Sequence, residues 1–493
     1  MMLRSSPLSS RLAQLALPVM LASLAACAQL PDAQLQPQPL SKSFAGQARL
    51  QTQVADVPPP ALDTWWDGFK DPVLSDLVQR ALDQNLDLAA ALARVEQARA
   101  VAQGAGAQRL PQIGLDGQIV RQRQSLKSPE GELASAFPGY AREQTLQSLG
   151  IGASWEADLA GGLRQGEAAA VAEWQAATAS QLGARVTVVA EVADAYFRGR
   201  GAQARIEVAQ AQVRTQEQLL TLLQERFDHG LANQRELSQA RAQLLQARGT
   251  LPPLRTDLAT QLHRLDVLIG AQAGSQAVSL FAAAPAVIRV PALPADITPA
   301  DLMRRRPDVI AAERELDADQ ARIGIAKAEY YPSLSLGGLI GAQSLHGALI
   351  SPAAFQPQAL IGLHWRLFDF GRIDAEVAQA RGARNEALVQ VRQRMLRATE
   401  DVENALVCAA ELEAQRLDLT EEISARETAR DAAQDAYIGG SVSLVEVLIE
   451  DQQLLAARDH LALLQSERAR AAVAEFRALG GGWIPPKNAK ESI

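Results

Sequence analysis

The sequence predicts an α+β membrane protein in which short strands feed very long helices, and three observations carry that prediction. No proline occurs in the 127 residues between Pro357 and Pro485, and Gly371 to Tyr437 reads as one helical pattern of 67 residues. At 1.5 Å per residue such a helix is about 100 Å long. The unit also occurs twice: Trp155, Gly161, Phe227, Gly230, Glu236 and Arg248 recur 210 residues later as Trp365, Gly371, Tyr437, Gly440, Glu446 and Arg458. Finally, four segments of about ten residues alternate apolar and polar side chains, the period of a strand with one apolar face.

Bulk properties agree. The chain has 493 residues, 48% hydrophobic but only 4% aromatic, a profile of long packed helices rather than of an α/β enzyme core. Its formal charge is −8, and a chain this acidic without a basic block is a poor nucleic-acid binder. Cys27 and Cys408 are the only cysteines, so no disulfide framework can be written. No run of 18 apolar residues predicts a transmembrane helix.

The first element, residues 1–26, has the layout of a secretory leader, with Arg4 and Arg11 preceding the apolar run Leu12 to Ala26. It ends in Leu24-Ala25-Ala26-Cys27 and resembles a bacterial lipoprotein precursor. That resemblance implies an S-diacylglycerol and an N-acyl group on Cys27, and Ala28 after the cysteine implies sorting to the outer membrane. No other cofactor is expected. Residues 27–71 begin as a Pro- and Gln-rich extended strap and close on Trp65-Trp66 and Asp71-Pro72, where Asp71 is placed to cap a helix starting at Pro72.

Repeat one spans residues 72–270. Two helices broken at Asn85-Leu86-Asp87 run to Leu110-Pro111, strands follow at about 112–121 and 147–158, and the long helix Gly162 to Asp228 leads into the turn His229 to Asn233. A single return helix is expected from Gln234 to about Gly270, across Pro252 and Pro253. After a linker, 271–300, repeat two spans 301–479, with strands at about 333–342 and 359–369. In it Pro307 ends a short helix and Asp308 caps the next. Residues 480–493 form a tail. Repeat one carries 11 extra residues between its strands, where a surface loop tolerates them.

Strands of this length suit a tilted crossing of a hydrocarbon core, and backbone in lipid must be satisfied by closure. The smallest membrane barrels have eight strands, so four per chain require oligomers: eight strands as a dimer or 12 as a trimer. Tyr330, Tyr331, Phe355, Trp365, Phe368 and Phe370, with Phe137, Tyr140 and Trp155, are placed for an interfacial girdle.

The mature chain is similar to the outer membrane factor family, the TolC-like channels, and most of all to the lipoprotein branch serving tripartite RND-type efflux pumps. The stretches that carry this are Trp65-Trp66, Asn85-Leu86-Asp87, Leu110-Pro111, Arg306-Pro307-Asp308, Tyr331-Pro332-Ser333-Leu334, Trp365 to Arg372 and Leu479 to Trp483. Ala160-Gly161-Gly162 departs from the family pattern at one strand–helix corner only. The resemblance implies a homotrimer, with a 12-stranded barrel in the outer membrane continuous with a helical tunnel in the periplasm. It also implies a periplasmic adaptor and an inner-membrane RND-type transporter as partners.

No enzyme site is readable: His229, His263, His346, His364 and His460 show no metal spacing, and no phosphate loop or nucleophile elbow occurs. Function should reside in permeation. The resemblance places the tunnel mouth and the adaptor contact at the turns containing Gly230, Leu231, Gly440 and Ser441. Asp431 and Asp435, one helical turn apart beside Arg430, are the candidate pore and gate residues, because three copies of a carboxylate at a narrow mouth attract cations. Tyr437 and Phe227 are expected to pack beneath their turns, and Cys408 to be a small packed residue. A duct for secreted polypeptides is the alternative within this class. A periplasmic adaptor lipoprotein is the alternative outside it, disfavoured by the two repeats with paired strands.

Overall fold

The computed structural model describes residues 41, 43–46, 57–281, 288–294, 298–345 and 348–484. The leader, Cys27, His346 and the tail after Ile484 lie outside the described residues, as do parts of the strap and linker.

A 3-10 helix, Leu62–Phe69, precedes α1 (Pro72–Gln84). The Asp71 carboxylate accepts from the backbone N–H groups of Val73 and Leu74, and Pro72 occupies the first turn, where its missing N–H costs nothing. Asn85 both ends α1 and caps α2 (Leu86–Ala107), accepting from the N–H of Asp87 and Leu88. Then come β1 (Gln112–Arg123), a short α3 (Pro129–Ser135) in the loop, and β2 (Glu143–Ala157). The 67-residue α4 (Gly162–Asp228) starts at Gly161, whose φ of 78° favours glycine.

The expected single return helix is two, α5 (Gln234–Gly249) and α6 (Leu251–Leu268). Pro252 and Pro253 cannot donate to the preceding turn, so they are accommodated only as the start of a new helix. After α7 (Ala277–Leu280), repeat two supplies α8 (Pro299–Arg305), α9 (Pro307–Ala328), β3 (Ser333–Ser344) and β4 (Phe355–His364). The 67-residue α10 (Arg372–Ile438) then leads to α11 (Leu444–Ala478), unbroken because it holds no proline. Pro307 opens α9 instead of only closing α8. Arg306, not Asp308, is the N-cap, and Asp308 lies inside the first turn, where it accepts two hydrogen bonds from Arg306.

The helices form one layer in which α4 and α10 run the full length. On one flank α4 packs against α2 and α6, and on the other against α9 and α11, which also pack on α10. The half-length helices meet end to end. Asn85 Nδ2 donates to the Leu268 carbonyl at 2.8 Å, joining the start of α2 to the end of α6. Arg306 Nη1 reaches the Ala478 carbonyl at 3.4 Å, joining α9 to α11. A belt crosses these junctions: Val57 bridges Pro291, Gly482 donates to the Leu62 carbonyl, and Arg185 donates to the Gly482 carbonyl.

The main core sits at this level. Trp65 stacks on Phe476 at 5.3 Å and Phe69 meets Phe197 at 4.7 Å, all four buried. Aromatic area of this kind, removed from water, anchors the belt against the long helices. Phe44 fills a second core with Leu302, Val402, Leu406 and Leu479, beside Glu403, whose carboxylate accepts from the N–H groups of Ala45 and Gly46.

Candidate functional site

The sheet has strand order β1-β2-β3-β4, all pairs antiparallel. Residues directly opposite in such pairs share a face. Ile113, Leu115 and Ile119 therefore share one face with Leu149, Ile151, Trp155, Leu336, Ile340, Ile361 and Leu363. That face is apolar and exposed, Ile113, Ile119 and Ile361 each to about three quarters. The opposite face carries Asp116, Gln118, Ser148, Gln343, Gln356 and Gln358, with Gly150 and Gly341 at its centre and Val120, Leu146, Leu339 and Leu360 among them. A Cβ on Gly341 would lie 2.8 Å from the Leu149 carbonyl oxygen, too close without a backbone shift, and one on Gly150 would lie 2.8 Å from Leu339 Cδ1, displacing that side chain.

The strands are longer than alternation alone indicates at their loop ends, with β1 reaching Arg123, β2 starting at Glu143 and β3 reaching Ser344. The fourth is displaced toward the loop and ends at His364, before Trp365. Trp365 instead turns its indole N–H to the Tyr330 carbonyl at 3.0 Å. Trp155 makes the duplicate contact to the Arg109 carbonyl at 2.9 Å. In each repeat a tryptophan thus ties the end of its second strand to the helix that precedes its first.

At the other end of the long helices, the two turns match. Gly230 and Gly440 take φ values of 70° and 75°, which glycine adopts without strain. Asn233 caps α5 with a full capping box, and Ser443 is the corresponding N-cap of α11. Behind each turn sits the same ion pair, Arg248–Glu217 in repeat one and Arg458–Glu427 in repeat two, both 2.7 Å. Gly230, Leu231, Gly440 and Ser441 are all exposed, and Leu231 and Ile438 present apolar side chains that are 69% and 75% exposed.

Asp431 and Asp435 are both exposed on the last turns of α10. Arg430 Nε lies 2.7 Å from Asp431 Oδ1, a charge contact without hydrogen-bond geometry, and Arg430 Nη1 lies 3.8 Å from Asp451 on α11. Asp451 is mostly buried, and burial holds its carboxyl above the usual range, with Asp431 adding to the shift and Arg430 and Arg458 opposing it. Arg426 pairs with Glu422 at 2.6 Å and reaches Gln453 on α11. Tyr437 and Phe227 are half-buried beneath their turns as expected, but the Tyr437 hydroxyl also accepts from Arg226 of α4.

Sequence reasoning missed Asp451 and Arg226. Asp451 aligns with Arg241 and Arg226 with Ala436 across the repeats, so each departs from its duplicate, and that departure was the available signal. Cys408, expected to be packed, is exposed on α10.

An apolar outer face, an inner face richer in glycine and polar side chains, and edge strands β1 and β4 left open make this sheet one segment of a membrane barrel, which the long helices continue as a periplasmic tunnel. The chain is an outer-membrane channel, not an enzyme. It belongs to the outer membrane efflux protein family, whose model matches residues 77–271 and 298–481. It is 32% identical over 421 residues to the pyoverdine export outer membrane protein OpmQ of Pseudomonas putida strain KT2440, covering 85% of this chain and 88% of that protein. Similarity at 26% over 463 residues extends to the cation efflux system protein CusC of Escherichia coli O6:H1, covering 94% and 97%. The structure of the outer-membrane channel OprN superposes with a TM-score of 0.79 at 29% identity, covering 93% of this chain and all of that one.

Proposed function

We propose that this chain forms a homotrimeric exit duct of a tripartite efflux system, passively conducting small toxic molecules from the periplasm to the exterior. Three four-stranded sheets would close edge to edge, β4 of one copy on β1 of the next, giving a barrel of 12 strands with no open edge. An acylated Cys27 would hold each copy in the outer membrane.

The observation that carries the docking half of this reading is the matched pair of glycine turns with exposed Leu231 and Ile438. Apolar tips left in water fit the hairpin tips of a periplasmic adaptor, which an RND-type inner-membrane transporter would engage in turn. Asp431, Asp435 and Arg430 lie directly behind these tips, where a change in helix splay alters the width of the mouth. The relatives are named for export of pyoverdine and of cations; small solutes are the cargo class shared with a drug-efflux duct.

Cysteines placed at Leu231 and Ser441 should form cross-links to the adaptor hairpin in intact cells, while a cysteine at the belt residue Leu62 should not. Cross-links from the belt alone would refute tip docking. Cys27→Ala should abolish incorporation of labelled acyl chains, and persistent labelling would remove the lipid anchor.

A further inference from the structure

The inner face of the sheet carries one carboxylate at mid-height that the mouth does not explain. In the strand register Asp116 stands opposite Gly150, which stands opposite Gly341, which stands opposite Gln356. The flanking rows on the outer face are Leu115, Ile151 and Ile340 on one side, and Gly117, Leu149 and Ala342 on the other. Asp116 therefore sits at the centre of the apolar band, on the opposite surface of the sheet. Its carboxylate projects over glycines: a Cβ at Gly152 would be 3.8 Å from Asp116 Oδ2, and one at Gly114 4.0 Å. Among the described residues no lysine or arginine pairs with it, and the rows above and below on this face hold Gln118, Ser148 and Gln343, then Gly114, Gly152, Leu339 and Gln358.

We propose that Asp116 is a charge-selectivity residue of the conduit, forming a ring of three carboxylates halfway across the membrane. This rests on the trimeric barrel proposed above. Twelve strands about 4.8 Å apart, tilted by about 40°, give a backbone radius of about 12 Å. A carboxylate reaching about 4 Å inward lies about 8 Å from the axis, one Debye length at physiological ionic strength. Every solute on the axis is thus within range of three unpaired negative charges, set in a low-dielectric wall that focuses their field. Because its immediate neighbours Gly114, Gly150 and Gly152 add no side chain and Leu339 beyond them adds no charge, the ring sets the charge at this level of the bore. It discriminates by charge and not by size, and it does so independently of the periplasmic mouth.

The test reads the local potential from the external side, so the state of the mouth does not enter. In a Cys408→Ser background, Gln118→Cys places a thiol on the same face two residues from Asp116, and Ile119→Cys places one on the outer face. Rates of modification by a cationic and an anionic methanethiosulfonate are compared with and without Asp116→Asn. Gln118→Cys should react with both reagents, the cationic one faster, and Asp116→Asn should lower that ratio about threefold, an effect that vanishes in 1 M salt. Asp116→Ser, if trimeric, should match Asp116→Asn. A ratio unchanged by either substitution overturns the role of Asp116. An unreactive Gln118→Cys with a reactive Ile119→Cys reverses the two faces and overturns the barrel reading itself.

Discussion

The Tyr437 hydroxyl on α10 accepts a hydrogen bond from the Arg226 guanidinium on α4, whose carbon also lies 5.7 Å from the centre of the tyrosine ring. This contact joins the two full-length helices one turn from Gly230 and Gly440, using an arginine absent from repeat two and a hydroxyl absent from repeat one. Tyr437→Phe keeps the ring and removes the acceptor. A hydrogen bond to a charged group contributes about 1.5–3 kcal/mol, so the open-to-closed ratio should rise at least about tenfold. Single-channel recording of Tyr437→Phe and Arg226→Ala checks this, and unaltered open times in both would assign the pair to packing alone.

Asp431 is the more exposed partner of Arg430, and Asp451 the more buried one. Asp431→Ala should weaken block by multivalent cations applied from the periplasmic side. Asp451→Asn should instead loosen the α10–α11 contact through Arg430 and raise conductance. If both variants keep wild-type block and conductance, the constriction lies elsewhere.

Glu475 on α11 is buried, one of its oxygens has no partner, and burial pushes its carboxyl up to about 8. A folded-state value above the unfolded one means that the folded chain holds its proton longer. Stability is therefore lost as pH rises from the ordinary glutamate range to about 8, and is level above that. Glu475→Gln should melt with the wild type at pH 4, and at a Tm several degrees higher at pH 9. Calorimetry at the two pH values decides it; equal offsets at both would contradict the linkage.

The tryptophan ties predict a local cost at the membrane-proximal end. Trp365→Phe leaves the Tyr330 carbonyl without its donor and should destabilise the trimer by about 1 kcal/mol. Trp155→Phe should behave alike, because Trp155 holds the Arg109 carbonyl in the same way. Trimer melting on semi-native gels measures both.

Elements with local causes were legible in the sequence. Asp71, Asn85 and Gly161 mark helix ends by their own chemistry, the proline-free runs set the lengths of α4 and α10, and alternation assigned the faces of all four strands. The displacement of β4 was less legible because it follows from pairing with β3, a partner distant in the chain. The break at Thr250 and the short α3 had local signals that went unused: Pro252-Pro253 for the first, and Ser128 capping with Pro129 in the first turn for the second. Near the end of α10, Asp431 and Asp435 were readable as a same-face pair. Asp451 and Arg226 act across helices, and only the asymmetry between the repeats pointed to them.

In the proposed duct three copies enclose a water-filled path that narrows at the periplasmic turns. Planar-bilayer recording of the purified trimer, with Tyr437→Phe as its loosened form, tests this most directly. Brief, small, cation-preferring openings are expected in the wild type and longer, larger ones in Tyr437→Phe, with multivalent block from the periplasmic side only. A trimer that inserts yet conducts in neither form, or is blocked equally from both sides, would contradict it.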